Sequence, residues 1–195
     1  MLGADLAPGT LLAAYRSGLF PMDVDVDDGS RVLGWWSPDP RGVLPVASLH
    51  ISRSLRKAMR RYTITMDECF TEVMRQCADV RRPRGWITED FINAYTALHG
   101  LGWTHSVEVW NREHELVGGL YGVQIGHFFA GESMFHAERD ASKVALVAVV
   151  EHLNASSPEA LFDVQWATDH LRTLGAIEIS RSDYLGRLQH ALAMS

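Results

Sequence analysis

The chain is poor in cysteine, with only Cys69 and Cys77 among 195 residues, which excludes a disulfide scaffold. It also lacks a long hydrophobic run. The longest aliphatic stretch, Val144 to Val150, is seven residues, where a membrane helix needs ~20. No basic segment followed by an apolar one opens the chain, so the expectation is a cytoplasmic protein with reduced thiols and no membrane partner. The nine histidines include no HExxH or HxxxH pair, so no metal is expected. A phosphate loop ending in Gly-Lys-Ser/Thr is absent, as is a GxGxxG turn after a strand. Gly118-Gly119-Leu-Tyr-Gly122 sits inside a strand pattern and does not replace them. The GxSxG elbow is missing too, and Ser133 lacks its second glycine.

What is present fits a globular chain. Apolar residues make up 47% and charged residues 22%, enough for one domain with a small appendage. Net charge is −6, yet nine of the 18 Lys and Arg residues lie between Arg53 and Arg84. That window carries +5 and the remainder −11, a polarised field able to steer a polyanion. Arg53, Arg56, Lys57, Arg60 and Arg61 fall on one face of a helix expected over 52–61. The pattern alone fits either a solvated face or a phosphate-binding one. Arg81, Arg82 and Arg84 form a basic turn around Pro83.

Periodicity supplies a coarse layout. Helices are expected over 7–17, with Thr10 as N-cap, over 67–78, capped by Asp67, and from Thr88 to Gly100. Residues 21–34 read as an acidic loop or hairpin tip, and Trp35-Trp36-Ser-Pro-Asp-Pro-Arg41 as an extended segment. The tryptophan pair fits a docking role or a lid over the core. Residues 62–66 and 105–110 alternate as strands, and 116–123, which carries three glycines, and 127–134, after a turn at Gly126, read as two more. A helix over 142–153, a strand over 161–165, a short helix from Asp169 to Leu174 and a strand over 176–180 complete the expected order. The fold class is α+β, with helices crossing a mixed sheet.

A few polar residues stand in apolar contexts. Glu132 lies between Phe128-Phe129 and Met134-Phe135, and Asp163 and Gln165 lie between Phe162 and Trp166. At i and i+2 on a strand, Asp163 and Gln165 share a face. Asp163 fits either a cleft or a buried ion pair with an arginine such as Arg139 or Arg172.

Several segments in order resemble the leucyl/phenylalanyl-tRNA–protein transferases. They are Asp5-Leu-Ala-Pro8, Tyr15-Arg-Ser-Gly-Leu-Phe-Pro21, Trp35 to Arg41, Leu49-His-Ile-Ser-Arg53, Gly85-Trp-Ile-Thr88, Ala94-Tyr95, Leu98-His99, His105 to Trp110, Leu116 to Val123, Gly131-Glu-Ser-Met-Phe135, Ala141-Ser-Lys143 and Asp163-Val-Gln165. The resemblance implies a GNAT-like acyltransferase domain over 37–195, with a mixed, mainly antiparallel sheet, behind a small N-terminal domain over 1–36 that is shorter than the family pattern. It implies transfer of Leu, Phe or sometimes Met from aminoacyl-tRNA to the N-terminal Arg or Lys of a protein, marking it for degradation. No cofactor and no partner subunit are implied.

The implied roles put Trp86 against the terminal adenine, with Tyr15, Tyr95 and Met22 nearby; some members carry a tryptophan at the Met22 position. Leu120, Phe129, Met134 and Leu146 would hold the transferred side chain. Glu132 would hold the acceptor, and Asp163 and Gln165 would orient its amine. The basic stripe and the Arg81–Arg84 turn would grip tRNA phosphates. The alternatives are a coenzyme A-dependent N-acetyltransferase, for which Gln124-Ile-Gly-His-Phe is a poor pyrophosphate turn, and a non-catalytic tRNA-binding module.

Overall fold

A computed structural model describes residues 4–25, 31–78 and 85–194. Helix α1 (Pro8–Arg16) begins with Ala7 at its N-cap and Pro8 in the first turn. This corrects the expected cap at Thr10: a proline lacks an N–H to satisfy and its fixed φ suits a helix start. Gly18, at φ 76°, ends the helix and leads the chain into β1 (Phe20–Asp25). β1 pairs antiparallel with β2 (Arg31–Trp36). Of the two readings of residues 21–34, loop or hairpin tip, the structure shows the hairpin, with its strands longer than expected and its acidic tip outside the described residues.

Seven strands build the main sheet, in the order β4–β5–β6–β7–β8–β3–β9. β3 (Arg41–Pro45) had no sequence signal and sits between β8 and β9. After a 3₁₀ turn (Val46–Ser48), α2 (Arg53–Met59) starts at Ser52, whose hydroxyl accepts from the Leu55 N–H. β4 (Thr63–Met66) and α3 (Phe70–Cys77) follow. Asp67 does not cap α3, as had been expected. Its carboxylate instead accepts from the Ser106 N–H and pairs with His105, tying the β4 exit to the next strand. α4 (Glu89–Gly100) buries Phe91, Ile92, Tyr95 and Leu98, which recur at helical spacing.

The meander β5 (Thr104–Trp110), β6 (Leu116–Ile125), β7 (Phe128–His136) is antiparallel. α5 (Ala141–Ser156) then crosses to β8 (Leu161–Gln165), which runs parallel to β7. α6 (Asp169–Arg172), β9 (Ile177–Ile179) and α7 (Arg181–Ala193) close the chain. α7 is an addition to the expected layout; Ser180 caps it by accepting from the Asp183 N–H.

Strand alternation divides the core in two. Val43, Tyr121, Phe128 and Leu161 pack with α1, α3, α4 and α7 on one face. Leu44, Leu120, Phe129 and Phe162 pack with α2 and α5 on the other. Helices thus flank both faces of a mixed, mainly antiparallel sheet, as expected. Among the described residues, no helix is long and apolar enough to cross a membrane.

Candidate active site

Two β-bulges shape the site. In the β6–β7 register Tyr121 faces Ser133 and Gly122 faces Gly131, so Glu132 is the extra residue. In the β3–β8 register Gly42 faces Gln165 and Val43 faces Asp163, which leaves Val164 as the extra one. A bulge breaks the ladder and re-aims side chains. Gln165 ends β8 with φ 56°, a left-handed conformation uncommon for a residue with a Cβ. The chain then folds back over β3. Gly42 permits this: a Cβ there would lie 2.5 Å from the Ala167 nitrogen and 2.6 Å from the Trp166 carbonyl carbon.

These distortions aim Glu132 and Gln165 into one cleft of about 210 Å³, whose other walls are Phe20, Pro21, Met22, Trp86 and Trp166. Trp166 is 45% exposed and meets Phe20 edge-on at 5.3 Å. Trp86 is held edge-on against Phe91 at 5.1 Å. Two polar atoms here are buried and have no hydrogen-bond partner among the described residues: Glu132 Oε1 and Gln165 Nε2. Buried polar groups are nearly always paired, so two orphans in one cleft mark a place where a ligand completes the bonding. Burial pushes the Glu132 carboxyl up to about 8, with the charge of Asp163 adding to the rise, while Tyr15, Arg41 and Tyr95 oppose it.

Asp163 shares its side of the sheet with Gln165, while Phe162 and Val164 belong to the opposite cluster. It is 0% exposed and engaged on both oxygens. Arg41, itself 1% exposed, donates from Nε to Oδ1 at 2.9 Å and from Nη2 to Oδ2 at 2.6 Å. The Tyr184 hydroxyl donates to Oδ2 at 2.9 Å, and the Gln165 N–H to Oδ1 at 2.9 Å. Asp163 is thus an ion-paired acid, and its partner is Arg41 rather than Arg139 or Arg172.

Tyr15 and Tyr95 are fully buried, so neither offers a ring face to a base. Their hydroxyls bond each other, and Tyr95 reaches Glu132 Oε2 at 3.5 Å. They support the cleft floor, while Trp86 and Met22 line its wall. Leu120, Phe129 and Leu146 are buried together on the α5 side, with half-buried Met134 packed against them. Phe129 meets Phe162 edge-on at 5.4 Å.

Arg53, Arg56, Lys57, Arg60 and Arg61 are all exposed. None of the five makes an ion pair among the described residues. The structure does not bring this stripe to the cleft: α2 packs on α5, whereas Trp86 packs with α3 and α4 across the sheet. Arg81, Arg82 and Arg84 lie outside the described residues. Among those residues, no group of three or more His, Cys, Asp and Glu side chains is placed to hold a metal.

Sequence reading missed Arg41, Tyr184 and Trp166. Trp166 adjoins Gln165, an available hint; the other two meet Asp163 only through long-range packing. A larger groove of about 470 Å³ runs along Val43–Ala47 and Pro158–Phe162 to Gly186, Arg187 and His190. Its volume exceeds that of the cleft, but neither orphaned polar atom lines it.

The family model for leucyl/phenylalanyl-tRNA protein transferase matches residues 43–189, and that for its N-terminal domain matches residues 4–39. A leucyl/phenylalanyl-tRNA–protein transferase of Tolumonas auensis is 47% identical over 191 residues, covering 96% of this chain and 79% of its own. One from Magnetococcus marinus is 49% identical over 199 residues, covering 98% and 83%. Among solved structures, the C-terminal domain of a putative lysylphosphatidylglycerol synthetase from Agrobacterium fabrum matches 95% of this chain and 57% of its own. Its TM-score is 0.46 and its identity 11%. With two family models and near-half identity along almost its whole length, the chain belongs to the leucyl/phenylalanyl-tRNA–protein transferase family.

Proposed function

We propose that this chain transfers Leu or Phe, and sometimes Met, from aminoacyl-tRNA to the α-amino group of an N-terminal Arg or Lys. The observation that carries the reading is the pair of unpartnered polar atoms, Glu132 Oε1 and Gln165 Nε2, in a cleft walled by Trp86, Met22 and Trp166. An aminoacyl ester is already activated. The acceptor nitrogen attacks the ester carbonyl, a C–N bond forms and the ester C–O bond breaks. The amine loses one proton, and the departing ribose hydroxyl gains one.

The chain's contribution is positioning, worth up to ~7–11 kcal/mol, together with stabilisation of the developing oxyanion. Gln165 Nε2 donates to that oxyanion, and its Oε1 orients the amine. Glu132 titrates near 8, matched to an α-amine at ~7.7–8.0, and takes the amine's proton. Its negative form also favours a cationic N-terminal residue over a neutral one.

The terminal adenine stacks on Trp86 with Met22 beside it, a thioether being able to pack on a ring. The transferred side chain is assigned to the apolar cluster of Leu120, Phe129 and Leu146 with half-buried Met134, on the α5 side of the sheet behind the cleft. Such a pocket separates Leu from Phe or Met poorly, since one methylene is worth only ~1–3 kcal/mol. The α2 stripe grips phosphates on a separate surface and reads no sequence. The chain is proposed to act as a monomer.

The test is incorporation of labelled Leu from Leu-tRNA into peptides beginning with Arg or Asp, with labelled acetyl-coenzyme A as a control. Label in the Arg peptide alone is expected. Label in the Asp peptide alone would overturn the acceptor rule, and acetyl transfer alone would overturn the donor.

A further inference from the structure

Asp163 has no free bonding direction for a substrate. Its two oxygens receive four donors: Arg41 Nε and the Gln165 N–H on Oδ1, Arg41 Nη2 and the Tyr184 hydroxyl on Oδ2. An ionised carboxylate has about four lone-pair sites, so these fill it. Gln165 is the opposite case. It is 7% exposed, its backbone is left-handed at φ 56°, and its Nε2 has no partner among the described residues. The Oδ1 contact to its N–H is the bond that fixes this unusual backbone.

Arg41 reaches beyond Asp163. Its Nη1 donates to the Gly18 carbonyl at the α1 exit, and its guanidinium lies 4.9 Å from the Phe20 ring and 4.4 Å from the Tyr184 ring. Phe20 and Trp166 are both cleft walls. One buried cation therefore joins the N-terminal wall, the strand that carries Gln165, and α7. Lysine cannot reproduce this bidentate, stacked geometry.

We propose that Arg41 and Tyr184 are positioning residues for the transfer: they clamp Asp163 so that it holds the Gln165 backbone and aims the Gln165 amide at the reacting ester, and Asp163 itself touches no substrate. The inference rests on the transferase reading above.

The test is a double-mutant cycle between Tyr184→Phe and Gln165→Ala on the full chain, read by single-turnover Leu transfer from Leu-tRNA to an Arg peptide. Tyr184→Phe keeps the ring and removes the hydroxyl's bond to Asp163 Oδ2 together with the longer one, 3.4 Å, that it accepts from Arg41 Nη2. It is expected to lower the transfer rate about tenfold, with the peptide KM and the Leu-tRNA Kd unchanged. In the Gln165→Ala background the same change is expected to have no further effect, because Tyr184 acts through Gln165. A merely structural role would give equal losses in both backgrounds and overturn the proposal, as would an unchanged rate for Tyr184→Phe alone. Arg41→Lys is expected to lose more than Tyr184→Phe. If Arg41→Lys fails to fold, the Tyr184 cycle decides alone. A wild-type chain that transfers nothing from Leu-tRNA would instead defeat the functional reading beneath the proposal.

Discussion

Replacing Glu132 by Gln should make the protein more stable in a pH-dependent way while impairing transfer. Burial lifts the Glu132 carboxyl from 4.5 to about 8 in the folded chain. A group raised in the folded state binds its proton more tightly there than in the unfolded chain. Its burial therefore costs nothing below about pH 4.5 and the full amount above about pH 8. Between these limits stability falls as pH rises, with a slope of up to ~1.4 kcal/mol per pH unit. Over the window the loss is on the order of 5 kcal/mol, an upper figure because water entering the cleft screens the charge.

Gln is the neutral isostere and removes the slope. At pH 5 the two proteins should unfold at nearly equal denaturant midpoints; by pH 8 the variant should be more stable by about 3 kcal/mol. Asp67 and His105 also titrate differently on folding, but they are common to both proteins and cancel in the difference. Urea unfolding at half-unit pH steps measures it. A difference that does not change between pH 5 and pH 8 would refute the claim that Glu132 is a buried, costly carboxyl kept for function.

Other perturbations follow from the same geometry. Reversing Arg56, Lys57 and Arg60 to Glu should weaken Leu-tRNA binding, flatten the log K against log salt slope by about 2–3 and leave the melting temperature nearly unchanged. A filter-binding salt titration reads this. Asp163→Ala strands the Arg41 guanidinium without its carboxylate, so it should cost about 3–5 kcal/mol of stability as well as the transfer rate, measured by urea unfolding and single-turnover assay. Gly42→Ala forces the Trp166–Ala167 backbone away from β3 and should cost about 1–3 kcal/mol. It should also slow transfer by displacing Gln165, and calorimetry beside the transfer assay checks both.

What the sequence displays is local. The stripes Phe70-Val73-Met74-Cys77 and Phe91-Ile92-Tyr95-Leu98 repeat at helical spacing and are buried. In the meander His105–Trp110 alternates and was equally legible, whereas β6 and β7 were marked by the turns at 111–115 and Gly126 rather than by alternation. β3 was not, because Arg41-Gly-Val-Leu-Pro45 is short, shows no alternation and ends in a residue that disfavours central strands. α7 carries Tyr184, Leu188 and Ala191 at helical spacing, but Gly186 and a largely polar surface dilute the pattern. The active-site geometry is least legible of all. Arg41 and Asp163 are 122 residues apart, so no local rule pairs them. The bulges at Glu132 and Val164 break the period-two rule on which strand reading depends. Glu132, Asp163 and Gln165 stood out as polar residues in apolar strands. Which of them faces the cleft and which is clamped behind it emerges only from the folded register.

The central claim is that the cleft between Trp86 and Gln165 holds the reacting ester. The most direct test is a crystal structure of the chain with a non-hydrolysable adenosine carrying leucine through an amide at its ribose. The account predicts the adenine on Trp86 beside Met22, the leucyl carbonyl oxygen within hydrogen-bonding reach of Gln165 Nε2, and Asp163 still clamped by Arg41 and Tyr184. An analogue seated in the groove along Val43–Ala47 and Pro158–Phe162, or bound directly by Asp163, would contradict it.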